Sequence, residues 1–351
     1  MIHQYVDRET GRICTERLYQ DRLIRFLYSE VREHAPRVFR ALTGRRASRW
    51  LGHLNYDLAL GNRLAGNRRF LSELNVDLAE CVDPPAQLAT PRAVFERKIR
   101  YWQCRPLPAE ADTIVSPADA RVLVGSLAET SQLRVKEKFF QLEELLGQGK
   151  VFWHDAFREG DFAVFRLTPD KYHYNHVPVD GRVVDFYAVD GTHHACNPQA
   201  VVSLATPYSK NQRVVTILDT DVPGGSAVGL VAMIEVVALM IGEVVQCYSE
   251  EQYADPRGLV PGMLLRRGAP KSLYRPGSST DVLLFQRGRV EFAADLVANL
   301  HAVAQSRFSR GFGQPLVETD VKVRSWIALR RRDAARSAGR ESLLPSSEVR
   351  G

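Results

Sequence analysis

The sequence predicts an α+β protein, a β-dominated domain preceded by a helical N-terminal region. Two textures along its 351 residues carry that prediction. Residues 1–100 show helical spacing of apolar side chains. From about Tyr101 to Phe285 the chain instead breaks into short β-like runs punctuated by Pro, Gly and Asp. A hydrophobic content of 45% with 25% charged residues is that of a globular chain, not a disordered one.

In the first region, Leu23, Phe26, Leu27 and Val31 recur at helical spacing, with Arg22, Arg25 and Arg32 elsewhere on the wheel. Pro36 breaks that pattern. The following stretch, 37–51, mixes Arg37, Arg40, Arg45, Arg46 and Arg49 with Phe39, Leu42, Trp50 and Leu51, and no acidic residue occurs between Glu33 and Asp57. Such a segment suits a membrane surface, where aromatic groups enter the acyl boundary and arginines meet phosphates. A solvated basic face packed on the core is the plainer alternative. The net charge of +6 fits an anionic partner, but no nucleic-acid motif accompanies it, so nucleic acid is not expected.

The β-like runs are Thr113–Val115, Arg121–Val124, Phe162–Leu167, Arg213–Leu218 and Val282–Phe285, with a helical stretch around Phe140–Leu146. The most apolar segment, Ala227–Val245, is interrupted by Glu235, Gly242 and Glu243. It falls short of the roughly 20 residues a spanning helix needs and suits buried strands better. Residues 291–306 read as an amphipathic helix, and the Arg- and Ser-rich end, 330–351, reads as a flexible tail. The domains expected are therefore 1–100, 101–329 and the tail. Five scattered cysteines without a C-x-x-C pair predict reduced thiols in a cytosolic setting, and the opening residues show no apolar signal segment.

Three short motifs could carry chemistry: Ser-Pro-Ala-Asp-Ala-Arg at 116–121, Lys-Tyr-His-Tyr-Asn-His-Val-Pro at 171–178, and Pro-Gly-Ser-Ser-Thr at 276–280. Singly, each is an ordinary turn. His173 and His176, with His193, His194 and Cys196, are metal ligands by type but more simply loop residues. Together, an Asp, a His and a Ser in turns beside strands can form a base-activated nucleophile. Here the serine follows a glycine, which has no side chain to shield its carbonyl. A Gly-Ser peptide of this kind is open to attack by the adjacent hydroxyl. That chemistry is self-cleavage.

At this point the chain resembles the phosphatidylserine decarboxylases. The likeness runs in order from Phe95-Glu96-Arg97 and Arg105-Pro106 through Ser116-Pro117-Ala118-Asp119, Val135-Lys136 and Leu142–Gly147. It continues through Tyr172–Pro178, Asn211–Val215 and Val231–Val244 to Gly277-Ser278-Ser279-Thr280. Val237 and Ala120 stand where the family usually has glycine.

The resemblance implies a β-rich decarboxylase fold and a set of roles. Asp119 would orient and charge-stabilise His176, and His176 would deprotonate Ser278. The Ser278 oxygen would attack the Gly277 carbonyl, and elimination would then split the precursor. The products would be a large β chain, 1–277, and a small α chain, 278–351, headed by a pyruvoyl group made from Ser278. That group would take up the substrate amine and the electrons left by CO₂, with His173 helping in proton transfer and no pyridoxal phosphate or metal required.

Counting forward from Gly268 places the nucleophile at Ser278, whereas counting back from Phe285 places it at Ser279. The resemblance favours Ser278. It further implies an anionic phospholipid substrate met at the cytoplasmic side of the cell membrane by a peripheral protein, and a homodimer is common among such enzymes. A pyruvoyl decarboxylase of a free amino acid or small amine is the alternative. A serine hydrolase or a non-cleaving lipid-binding scaffold is the alternative of another class.

Overall fold

The computed structural model describes residues 2–18, 21–44, 46, 47, 50, 53, 74, 76–128, 139–239, 243–276 and 279–331. Gly277 and Ser278 lie outside them, as do Val135-Lys136, most of the basic stretch beyond 44 and the tail from 332. The strands are β1 (Gln4–Asp7), β2 (Ile13–Thr15), β3 (Thr113–Val115), β4 (Ala120–Ser126), β5 (Asp161–Leu167) and β6 (Tyr174–His176). There follow β7 (Gly181–Val189), β8 (Arg213–Asp219), β9 (Leu230–Val237), β10 (Val244–Gln246) and β11 (Leu264–Leu265). The last are β12 (Pro270–Tyr274), β13 (Ser279–Phe285), β14 (Val290–Phe292), β15 (Thr319–Val321) and β16 (Trp326–Arg330).

Ten of them form one sheet in the order β11-β7-β8-β9-β13-β5-β4-β15-β1-β2, antiparallel except where β1 runs parallel to β15. Two three-stranded sheets, β10-β12-β6 and β14-β16-β3, complete the α+β architecture. The strands expected from the sequence are present, and Ala227–Val245 supplies the buried β9. β9 and β13 are buried almost throughout because neighbours cover both faces of the sheet centre. Such strands read as near-continuous apolar runs. Glu235 in β9 and Asp281 in β13 depart from that rule, and both are fully buried.

Among the described residues of the first hundred, strands as well as helices occur. Helix Asp21–Phe26 continues through Leu27–Val31 in a π-type turn, and Pro36 opens a new helix, Pro36–Leu42, after Ala35 leaves the helical region. Ile24, Leu27, Tyr28 and Phe39 pack there against Ala195, Ala200 and Leu239. Before them, however, β1 and β2 form a hairpin in the main sheet. Its ends are tied by buried charges: Arg166 of β5 reaches both Glu16 and Glu318 at 2.6 Å, and His3 meets Glu318 at 2.8 Å. These three groups, His3, Glu16 and Glu318, converge as metal ligands would, but guanidinium groups occupy the carboxylates.

Among the described residues no helix is long and apolar enough to cross a membrane. Among the described residues no disulfide joins any of the five cysteines.

Candidate active site

The first two motifs meet at β6, and the strand that leads into the third pairs with it. The turn Ser116–Asp119 joins β3 to β4, and the His176 N–H donates to the Pro117 carbonyl at 2.7 Å, which ties the second motif to the first. The third motif follows β12, whose last residue, Tyr274, donates its N–H to the His173 carbonyl at 3.1 Å. The connection bearing Gly277 and Ser278 therefore starts next to the histidine strand and ends at Ser279, the first residue of β13.

Asp119 is buried and held by a fork: Arg105 Nε donates to Oδ1 at 3.1 Å and Nη2 to Oδ2 at 2.9 Å. The Val323 N–H adds a third bond at 2.7 Å. Burial alone would raise its pKa, but Arg105 outweighs that and lowers it, so Asp119 is ionised. Arg105 also grips Glu80 with both terminal nitrogens, at 2.8 and 3.0 Å. These contacts differ from the expectation that Asp119 orients His176 directly. Its oxygens are turned to Arg105 and Val323, and it acts on the imidazole through its charge.

Orientation of His176 comes from two other residues. Nδ1 lies 2.8 Å from the Gly268 carbonyl, which can only accept, so Nδ1 carries the proton. Nε2 is then a lone-pair nitrogen, 2.9 Å from the Tyr172 hydroxyl. Gly268 has φ of +77°, and a Cβ there would come within 2.7 Å of Leu107, so the position that offers this carbonyl needs glycine. Burial pulls the His176 pKa down to about 3, helped by Arg324 and opposed by Gly268 and Asp119. The ring is a neutral base at pH 7.

His173 is fully buried and stacked on Phe95 with ring centroids 3.5 Å apart. Its ring nitrogens make no hydrogen bond of good geometry among the described residues. Burial and Arg97 hold its pKa well below the imidazole range, against the opposing pull of the Lys171 backbone. A buried imidazole with bonding capacity to spare is placed to meet an incoming polar group.

Of the residues expected from the sequence, Asp119, His173 and His176 lie near one another in the structure. Ser278 lies outside the described residues. Sequence reasoning missed Arg105 as the partner of Asp119 and Tyr172 as the partner of His176, although both stand inside or beside the motifs. It also missed a buried polar cluster next to the third motif. Glu235 accepts from Lys271 at 2.7 Å, from Asn175 at 3.2 Å, from Gln246 at 3.0 Å and from Ser272. The available signal was a charge inside an apolar run.

A ten-stranded mixed sheet whose central strand β13 follows the strand paired with the histidines defines an α+β domain with a candidate enzyme site. Comparison with known proteins supplies the family. The family model for phosphatidylserine decarboxylase matches residues 92–307. A phosphatidylserine decarboxylase proenzyme of Fusobacterium nucleatum is 26% identical over 310 residues, covering 88% of this chain and 95% of that protein. One from Chlamydia trachomatis serovar L2 is 30% identical, covering 84% and 90% respectively. A rice protein, phosphatidylserine decarboxylase proenzyme 2, is 32% identical over 234 residues, 66% of this chain and 34% of its own length. The chain belongs to the phosphatidylserine decarboxylase family, a family of carboxy-lyases.

Proposed function

We propose that the chain is a proenzyme that cuts itself in the Gly277–Ser279 segment and then decarboxylates phosphatidylserine to phosphatidylethanolamine at a membrane surface. The observation that carries this reading is that β6, with its neutral, oriented His176, pairs along β12, the strand that leads into the Gly-Ser segment. In this reading His176 Nε2 exchanges the Tyr172 hydroxyl for the serine hydroxyl and takes its proton. The Gly268 carbonyl and the charge of Asp119 stabilise the imidazolium while it lasts, and Arg105 keeps Asp119 ionised.

The residues present fit a pyruvoyl group headed by the chain itself. His173 and Ser279 are fully buried, and the Ser279 hydroxyl at the start of β13 is unbonded among the described residues. A pyruvoyl group supplies an electron sink for decarboxylation of an amine. Around it, this chain excludes water and offers His173 to hold or move a proton.

The sequence favours Ser278 as the precursor, giving a β chain 1–277 and an α chain 278–351. One observation supports Ser279 instead. Its Oγ is buried without a hydrogen-bond partner among the described residues. The β13 ladder pins it between Leu167 and Val237. Alternation along a strand puts it on the face of Asp281, whose partner Tyr274 belongs to the sheet of His176. Intact masses of the wild-type chain, Ser278→Ala and Ser279→Ala decide. The cut is lost in whichever variant removes the nucleophile, and the fragment masses differ by one serine. A chain intact in all samples would turn the reading towards a hydrolase or scaffold.

For docking, Leu23, Phe26, Val38 and Trp50 are more than half exposed. Arg22, Arg25, Arg37 and Arg40 are exposed beside them. That mixture supports peripheral attachment to an anionic leaflet, the cytoplasmic one in the cell. Release of CO₂ from phosphatidylserine vesicles tests substrate and surface together. A processed enzyme inert on vesicles but active on free amines would move the substrate to a small molecule.

A further inference from the structure

Four residues, 275–278, connect Tyr274 at the end of β12 to Ser279 at the start of β13. The Tyr274 side chain is fully buried and reaches across the base of that connection. Its hydroxyl lies 3.1 Å from the Thr280 carbonyl and 2.7 Å from Asp281 Oδ1. A phenol has one hydrogen to give, and a carbonyl can only accept. If Asp281 is ionised, the phenol's one hydrogen is shared between two acceptors; if Asp281 is protonated, it donates to the phenol oxygen and both contacts become full hydrogen bonds. The geometry thus favours a protonated Asp281.

The surrounding charges agree. Asp281 stands directly opposite Glu235 in the β9 ladder and opposite Phe165 in the β5 ladder. Asn175 of β6 and Gln246 of β10 contribute neutral amides to the Glu235 cluster. Lys271 is the cation facing this cluster, and it pairs with Glu235 at 2.7 Å. The nearby Cys196 and Cys247 thiols, pushed up to about 12 by burial, stay neutral. Among the described residues one cation, Lys271, faces two fully buried carboxyl groups, so a second negative charge would be uncompensated. Burial and Glu235 accordingly raise the Asp281 pKa well above the carboxyl range, against Tyr274 and Lys271.

We propose that Tyr274 and a protonated Asp281 form a staple across the base of the 275–278 connection, acting as positioning residues for the serine that cuts the chain. The proposal rests on the self-cleavage reading above. When Asp281 loses its proton, the phenol turns its hydrogen to the carboxylate and releases the Thr280 carbonyl, next to Ser279. Self-cleavage therefore slows on the alkaline side as Asp281 ionises. Asp281→Asn keeps both bonds at every pH, because its amide N–H replaces the acid O–H as donor to the phenol. Tyr274→Phe removes both.

The test follows disappearance of full-length chain after pulse-labelled cell-free synthesis, shifted into buffers from pH 7 to 10. The wild-type rate should fall towards pH 10, Asp281→Asn should hold within about twofold of its neutral rate, and Tyr274→Phe should be at least tenfold slower throughout. An alkaline fall unchanged in Asp281→Asn overturns the proposal. So does an Asp281→Asn chain as slow as Tyr274→Phe at pH 7.

A second measurement separates this proposal from the reading beneath it. In the Ser278→Ala, Ser279→Ala double variant, adding Asp281→Asn should raise the melting temperature by an amount that grows from pH 5 to pH 8. Over that range only the parent's unfolded chain gains by ionising Asp281. A gap that does not change with pH means Asp281 is already ionised and overturns the staple. A wild-type chain that never cuts defeats self-cleavage and the positioning role together, while a growing gap would still establish the protonated Asp281.

Discussion

At the scale of single residues, the site runs on neutral histidines, and that choice has a measurable consequence. His176 has a folded-state pKa of about 3, against about 6.5 for a free imidazole. Between those values the unfolded chain binds a proton that the fold refuses, so stability falls as pH drops through that window. One such group accounts for up to about 1.4 kcal/mol per pH unit. His173, fully buried and shifted in the same direction, adds to the slope. Thermal melts should show a midpoint that declines steadily from pH 7 to pH 5, and a His173→Gln variant should decline less steeply. A flat midpoint would mean that these rings are not refusing protons. The identities of Asp119, His173 and His176 were legible because each sits in a short motif. Their partners were not, because a residue that bonds through space leaves no mark of its own in the chain. Arg105 and Tyr172 look like any arginine and tyrosine until Asp119 and His176 are seen against them.

At the scale of elements, the N-terminal hairpin is the clearest departure from the sequence-based expectation. Its two strands are four and three residues long and are bracketed by His3 and Glu16, too short for a periodic signal and too polar for a buried strand. What holds them is a charge network whose members lie some 150 to 315 positions apart, as in Arg166 with Glu16 and His3 with Glu318. Burial would raise the pKa of Glu16, but Arg166 and Arg121 outweigh it and lower the value to about 2. Its contribution to stability is therefore complete above the ordinary carboxyl pKa and is lost as pH falls towards 2. Glu16→Gln strips Arg121 of its 2.5 Å partner and halves the carboxylates around Arg166. Breaking a buried pair in this way should cost about 3–5 kcal/mol at pH 7. Urea unfolding measures it, and a loss under about 1 kcal/mol would show that backbone pairing with β15 suffices to hold the hairpin.

At the scale of the whole molecule, the strand that starts at Ser279 runs through the middle of the largest sheet, paired over its full length with β5 on one side and β9 on the other. Farther along, β15 and β16 return to pair with β4 and β3. A cut in the 277–279 segment would leave all of these pairings in place. Two fragments on a denaturing gel should accordingly elute as one particle in native size exclusion, and they should separate only on unfolding. Independent elution of the small fragment would contradict this topology. The sequence alone determined the α+β class, the apolar strands of the sheet centre and the three motifs, because composition, periodicity and turn chemistry act between near neighbours along the chain. Only the tertiary structure decided that β1 and β2 join the sheet, that Arg105 rather than His176 receives Asp119, and that Glu235, Lys271 and Asp281 meet in one buried cluster. Those outcomes depend on pairing between distant residues, where strand register and the cost of an unpaired buried charge choose the partner.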